Sequence, residues 1–297
     1  MQLNGLRKFV LATFIGLPFV FAALIALRAY RAESGQFKNQ RRSVPLSPEA
    51  SAVAGLLPIH FPSRTGETMR GWYVPSSNRS TIVLTHGTEG DRRQVLPEAA
   101  LLAAGGFGVL LFDFPGHGES DGRVQWAAGD VEALKGALDF VVARPDGSGE
   151  KIGIAGFSMG GLIAVRTAVA DQRVAALALV GTPSDISELI RREFRRWGVL
   201  SQAPALLALE RHGTPLDQQP IALVSRLAPR PLLVMSGAND PLVPQQASEA
   251  LFAQAKESKQ FYLIPNAAHG GYLEADPVSY ASTLISFFAR ALVVGPK

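Results

Sequence analysis

The chain contains no cysteine, which excludes disulfides, thiolate metal sites and a cysteine nucleophile; it does not fix the compartment, because exported bacterial proteins can also lack cysteine. A His-Glu-x-x-His motif and clustered carboxylates are absent as well, so neither a metal nor another cofactor is expected. No internal repeat is present. The main body also lacks a charge surplus. Seven of the 29 Lys/Arg and two of the 25 Asp/Glu fall within residues 1–50, leaving 22 basic against 23 acidic side chains beyond them. The formal charge of +4 therefore belongs to the N-terminal segment, and no nucleic-acid partner is expected. What is plentiful is apolar material: 47% of 297 residues, ample for a large core and incompatible with disorder.

Phe9 to Leu27 is an uncharged run that would rise about 28 Å as a helix, close to the hydrocarbon thickness of a bilayer. Gly16 and Pro18 lie inside it, as membrane helices tolerate, and Arg7 and Lys8 precede it as in a secretory signal. The run exceeds the usual signal core, and no tidy Ala-x-Ala site precedes Ser34. The expectation is an N-terminal transmembrane anchor or signal-like segment over 1–28, then a polar, basic and Pro/Ser-containing tether over 29–57, giving a single-pass membrane protein. Its orientation stays open. Arg28, Arg31, Lys38, Arg41 and Arg42 place the following domain in the cytoplasm by the positive-inside rule, whereas the signal-like start argues for the opposite side.

From residue 58 short apolar runs alternate with helical patterns. Ile59–Phe61, Gly71–Val74, Thr81–Thr85, Phe107–Phe112, Lys151–Ala155, Val174–Val180, Pro231–Ser236 and Gln260–Ile264 read as strands. Gln94–Ala104, Asp130–Val142 and Pro277–Leu292 read as helices, the second with Val131, Leu134, Leu138, Val141 and Val142 at helical spacing. This rhythm predicts a doubly wound, mostly parallel α/β sheet with its site at the carboxyl ends of the strands.

Gly156-Phe157-Ser158-Met159-Gly160 sits where such a strand gives way to a helix. The pentapeptide alone is a weak signal, but a serine at a sharp strand-to-helix turn presents its hydroxyl, and glycines two before and two after it relieve the crowding. A serine hydroxyl needs a histidine to take its proton, and His269, in a loop beyond the last strand, is best placed. His86 and His117 lie in glycine-containing turns and read as structural. The imidazole needs an acid. Asp240, after the strand Pro231–Ser236, is the first choice against a mere turn former, with Asp185 as its rival; Asp113 reads as a loop acid. The backbone N–H groups of Thr88 and Met159 are the candidate oxyanion donors, and Glu89 reads as a solvated charge.

His86-Gly87, Asp113-Phe114-Pro115-Gly116-His117-Gly118, Gly156-Phe157-Ser158-Met159-Gly160, Asp240 and His269, in that order, resemble the α/β-hydrolase fold over about residues 58–292. The short cap and N-terminal segment look more loosely like membrane-associated serine hydrolases of the Bem46 and ABHD type. The resemblance implies a serine esterase or thioesterase acting on a small-molecule or lipid-like ester through an acyl-enzyme. An amidase or peptidase, and a non-catalytic binding protein on the same fold, are the alternatives. Dehalogenases and epoxide hydrolases of this fold are expected to carry aspartate where this chain has Ser158.

The hydrolase domain would span 58–297 with a cap insertion over 182–229. There Ile186, Leu189, Ile190, Phe194 and Trp197 fall on one helical face, while Arg191, Arg192, Arg195 and Arg196 crowd the other. This reads as a cap helix with solvated arginines, as a basic helix resting on anionic lipid, or as a site for phosphate or carboxylate recognition.

Overall fold

A computed structural model describes residues 3–145 and 149–294, with the backbone alone given for 3–18 and 294. In chain order the elements are α1 (Leu3–Gly35), β1 (Gln40–Arg41), α2 (Pro48–Ser51), β2 (Leu57–Pro62), β3 (Thr68–Val74), β4 (Ser80–Thr85) and α3 (Leu96–Ala104). There follow β5 (Gly108–Phe112), β6 (His117–Gly118), α4 (Ala128–Val142), β7 (Lys151–Phe157), α5 (Met159–Ala170) and β8 (Val174–Val180). The cap holds α6 (Ile186–Phe194), α7 (Gln202–Arg211) and α8 (Pro220–Leu223). The chain then runs through β9 (Leu232–Gly237), α9 (Gln245–Gln254), β10 (Lys259–Ile264), α10 (Tyr272–Ala275) and α11 (Pro277–Phe288).

Eight strands form one sheet in the order β10-β9-β8-β7-β4-β5-β3-β2, parallel from β10 to β5, with β3 antiparallel to both β5 and β2. The parallel strands read as continuous apolar runs because helices cover both faces, which leaves no solvent side to alternate toward. In β8 six of the seven residues are buried. One layer gathers Leu134, Leu138, Leu162, Ile163 and Leu251 from α4, α5 and α9; the other gathers Ala99, Leu102, Leu284 and Phe288 from α3 and α11. Asp130 accepts the Ala127 N–H at 2.9 Å to start α4, and Asp276 accepts the Ser279 N–H at 3.1 Å to start α11 ahead of Pro277.

The N-terminal segment departs from the sequence-based expectation. The first half of the anticipated membrane span, residues 9–18, lies outside the residues whose side chains are described, as do Arg7 and Lys8. Among the described residues no helix is long and apolar enough to cross a membrane. Beyond residue 27 α1 packs on the α/β domain: Ala29 and Glu33 are buried, and the Arg28 guanidinium sits 4.9 Å from the Trp197 ring centre. The membrane-helix expectation therefore finds no support here.

Residues 29–57 are likewise no free tether. Phe37 stacks on His212 at 4.2 Å, β1 pairs in parallel with β6, and Val44 and Ala50 are buried. The Val44 carbonyl also accepts from Arg92 Nη2 at 2.9 Å, so this segment clamps the loop that follows β4.

Candidate active site

Ser158 occupies the turn between β7 and α5 with φ 52° and ψ −119°, a left-handed-side conformation that side-chain-bearing residues adopt only under constraint. Its N–H donates to the Val180 carbonyl at 2.9 Å. The flanking glycines are required by contact. A Cβ on Gly160 would lie 2.5 Å from the Thr85 carbonyl oxygen, and one on Gly156 would lie 2.6 Å from Gly161 Cα. Glycine at both positions lets α5 approach the ends of β4 and β7, which holds the serine hydroxyl above the sheet.

His269 and Asp240 arrive from the loops after β10 and β9. His269 Nε2 lies 3.0 Å from Ser158 Oγ, and its Nδ1 lies 2.7 Å from Asp240 Oδ2. A carboxylate only accepts, so Nδ1 carries the proton and the Nε2 lone pair faces the serine hydroxyl. Asp240 is buried and also forms the turn: its Oδ1 accepts the N–H groups of Leu242 and Val243, each at 2.8 Å. One carboxylate thus serves both readings that the sequence allowed, turn former and histidine partner. The rival Asp185 is elsewhere, accepting the Ser187 N–H at 2.7 Å as the N-cap of α6. The sequence did not point to Tyr272, whose hydroxyl donates to Asp240 Oδ2 at 3.3 Å. Burial and the Asp240 charge push the Tyr272 phenol well up, so it stays protonated as a donor.

Thr88 and Met159 both line the cavity above Ser158. Met159 opens α5, where the first backbone N–H groups have no intrahelical acceptor. The loop carrying Thr88 is fixed from several sides. The Gly87 N–H donates to Gln94 Oε1 at 2.7 Å, and Arg42 Nη2 donates to the Glu89 carbonyl at 3.0 Å while its Nε pairs with Asp91 at 2.7 Å. Glu89 itself is exposed, at φ 60°.

His86 is structural, as its turn suggested. Its Nε2 accepts the Phe114 N–H at 3.0 Å and its Nδ1 donates to the Gly87 carbonyl at 2.8 Å, which joins the loops after β4 and β5. Complete burial pushes its pKa down to about 4, and burial with the His86 charge pushes His117 down to about 3. Asp113 pairs with buried Arg92 and accepts the N–H groups of Arg92 and Glu119 at 2.8 and 2.9 Å. It braces the same loops and stands apart from the serine.

A cavity of about 370 Å³ opens over Ser158 and His269. Leu162 of α5 and Ile186, Leu189 and Ile190 of α6 give it an apolar wall. Burying that face of α6 against the domain leaves Arg191, Arg195 and Arg196 exposed, the arrangement of a cap helix. Polar residues line the cavity too, among them Glu33 of α1 and Glu193 of α6. Glu33 is only 3% exposed, and its Oε1 is buried without a hydrogen-bond partner among the described residues. Burial and the Glu193 carboxylate push the Glu33 carboxyl up to about 7. Trp126 also lines the cavity, and its indole N–H is buried with no partner among the described residues. Neither residue stood out in the sequence, although Glu33 is a lone acid among Arg28, Arg31 and Lys38. Among the described residues no group of His, Asp or Glu side chains is arranged to hold a metal ion.

Comparisons with known proteins agree with this fold. A family model described as Hydrolase_4, serine aminopeptidase, S33, matches residues 76–226. The uncharacterized protein YfhR of Salmonella typhi is 26% identical over 98% of this chain and 99% of its own length. Protein Bem46 of Schizosaccharomyces pombe is 27% identical over 72% of this chain and 68% of its own length. Among solved structures, the Pyrococcus furiosus esterase Pf2001 superposes with a TM-score of 0.72 over 86% of this chain and 98% of that one, at 19% identity. An esterase from Exiguobacterium antarcticum gives 0.59 over 79% and 100%, at 14% identity.

Proposed function

The chain belongs to the Hydrolase_4 family, serine aminopeptidase S33, of the α/β-hydrolase superfamily, and from that premise we propose that it cleaves a carboxylic ester or thioester through an acyl-enzyme on Ser158. The observation that carries this reading is the unbroken hydrogen-bonded chain from Ser158 Oγ through His269 to Asp240, at 3.0 and 2.7 Å.

In this reading His269 Nε2 takes the hydroxyl proton as Ser158 Oγ attacks the carbonyl carbon. Asp240 holds the imidazole in the required tautomer and stabilises the imidazolium. The N–H groups of Thr88 and Met159 receive the negative charge that develops on the carbonyl oxygen, a donor pair of which each member is worth about 10²- to 10³-fold in turnover. The proton on His269 passes to the departing alkoxide or thiolate. Water then attacks the acyl-enzyme with His269 again as base, which releases the acid and restores the serine.

The apolar wall from α5 and α6 favours a substrate with an aliphatic portion, and the esterases among the structural relatives favour esters over amides. A matched panel of p-nitrophenyl ester, acyl thioester and anilide tests the reaction class. Turnover of the ester or thioester that disappears in Ser158→Ala supports the reading; turnover of the anilide alone replaces it with an amidase. A wild-type protein inert toward all three favours the non-catalytic binding protein.

A further inference from the structure

A second cavity, of about 930 Å³, lies at the edge of the sheet opposite Ser158. It opens at the amino ends of the parallel strands, where Lys151 begins β7, Leu232 begins β9 and Lys259 begins β10. The seven residues of β7 hold it about 20 Å from the nucleophile, so it is no part of the hydrolytic site.

The lining carries charge of one sign. Lys151, Arg230, Lys259 and Arg290 line the cavity, and among the described residues no acidic side chain does. Nor does any of the four join an ion pair among the described residues. Their partners are neutral. Arg290 Nη2 donates to Gln260 Oε1 at 2.9 Å, and the Lys259 ammonium donates to the Phe252 and Ala255 carbonyls at 3.0 and 2.8 Å. Arg230 donates through Nε to the Leu227 carbonyl at 3.0 Å and through Nη1 to the Ala168 carbonyl at 2.5 Å. Carbonyls satisfy N–H groups but leave the positive charge uncompensated, and partial burial pushes the Arg230 pKa down accordingly. The acids adjoining the lining in sequence are committed elsewhere: Glu150 pairs with Arg79, Asp171 pairs with Arg173, and Glu257 accepts the Lys259 backbone N–H at 3.2 Å.

Guanidinium and ammonium groups left without carboxylates suit an oxyanion, either phosphate or carboxylate. The rest of the lining is largely apolar, with Leu232 and Phe287 buried and Ala175 and Pro231 beside them. A bare ion leaves that surface uncovered. We propose that this cavity binds an amphiphilic oxyanion, a phosphate or carboxylate group joined to an aliphatic body. Its negative group meets the four cations, and its hydrocarbon covers the apolar floor. The site is independent of the hydrolytic reading, because it shares no residue with the cavity over Ser158.

Calorimetry with hexyl phosphate, hexanoate, inorganic phosphate and hexyltrimethylammonium tests the assignment on the wild-type protein and on the double variant Lys151→Gln/Arg290→Gln. Both side chains are exposed, so the variant should keep the wild-type urea midpoint. Hexyl phosphate or hexanoate should bind the wild-type protein and lose about tenfold or more in affinity in the double variant, and whichever binds more tightly identifies the head group. Hexyltrimethylammonium should not displace it. Inorganic phosphate binding as tightly as hexyl phosphate, and lost alike in the variant, overturns the aliphatic part and leaves a free-phosphate site. Equal affinity of the hexyl anions for both proteins, displacement by hexyltrimethylammonium, or no binding of either hexyl anion to the wild-type protein overturns the proposal. The measurement needs no turnover, so its outcome stands whether or not Ser158 is a nucleophile.

Discussion

Tyr272 and His269 share one carboxylate oxygen: the phenol donates to Asp240 Oδ2 at 3.3 Å and the imidazole Nδ1 approaches the same atom at 2.7 Å. The phenol thereby helps to aim Asp240 at the imidazole while the other oxygen is held by the turn. Tyr272→Phe keeps the ring that packs on Phe157 and Tyr280 and removes only this donor. The expected outcome is a roughly fivefold fall in kcat/KM with a loss of no more than about 1 kcal/mol in stability. Steady-state kinetics and urea denaturation of the same preparation check both; unchanged kinetics would leave Tyr272 a packing residue.

Asp240→Asn should be far more damaging to catalysis than to folding. An amide carbonyl can still accept from Leu242 and Val243, so the turn survives, but the amide no longer fixes the proton on His269 Nδ1. Turnover should fall by about 10³- to 10⁴-fold. A variant that folds and retains more than about a tenth of the activity would remove Asp240 from the account.

Gly160→Ala tests the elbow. The new methyl would meet the carbonyl oxygens of Thr85 and His86 at 2.5 and 2.6 Å, and both are backbone atoms in a packed strand end that cannot move aside locally. A loss of about 2–4 kcal/mol is expected, with Ser158 displaced and activity lost. An unshifted urea midpoint would contradict the close-approach argument.

Those elements were legible in the sequence for a physical reason. Strands buried on both faces write themselves as continuous apolar runs, and a serine elbow demands glycine at fixed offsets. The N-terminal segment was not legible in the same way. Its Pro, Ser and basic residues have the composition of a tether, yet Ala29, Phe37, Val44 and Ala50 are buried by partners far along the chain. The two-residue pairing of β1 with β6 has no periodicity to detect. Glu33 and Trp126 became visible as site residues only when α1 and the cap were brought together over Ser158. Asp240 was legible in both of its roles, because the turn that positions it and the histidine it faces use different oxygens.

His86 should make stability depend on pH in a defined direction. Its folded pKa of about 4 lies below the ordinary 6.5, so between those values the unfolded chain binds a proton that the native protein does not. Its contribution is therefore fully present above pH 6.5 and is lost as pH falls toward 4. Comparing wild type with His86→Gln by chemical denaturation removes the groups that titrate alike in both proteins and leaves His86 with its neighbour His117, whose ring lies 5.0 Å away. The stability difference in favour of wild type should shrink by on the order of 2 kcal/mol between pH 7.5 and 4.5. A difference that widens on acidification would show that His86 is charged in the folded protein.

The central claim, a Ser158 nucleophile activated by His269, is tested most directly by intact-mass measurement and peptide mapping after reaction with a fluorophosphonate. The account predicts one stoichiometric adduct on Ser158, absent in Ser158→Ala and strongly slowed in His269→Ala. A wild-type protein that never labels, or that labels at another residue while Ser158 stays free, would contradict it.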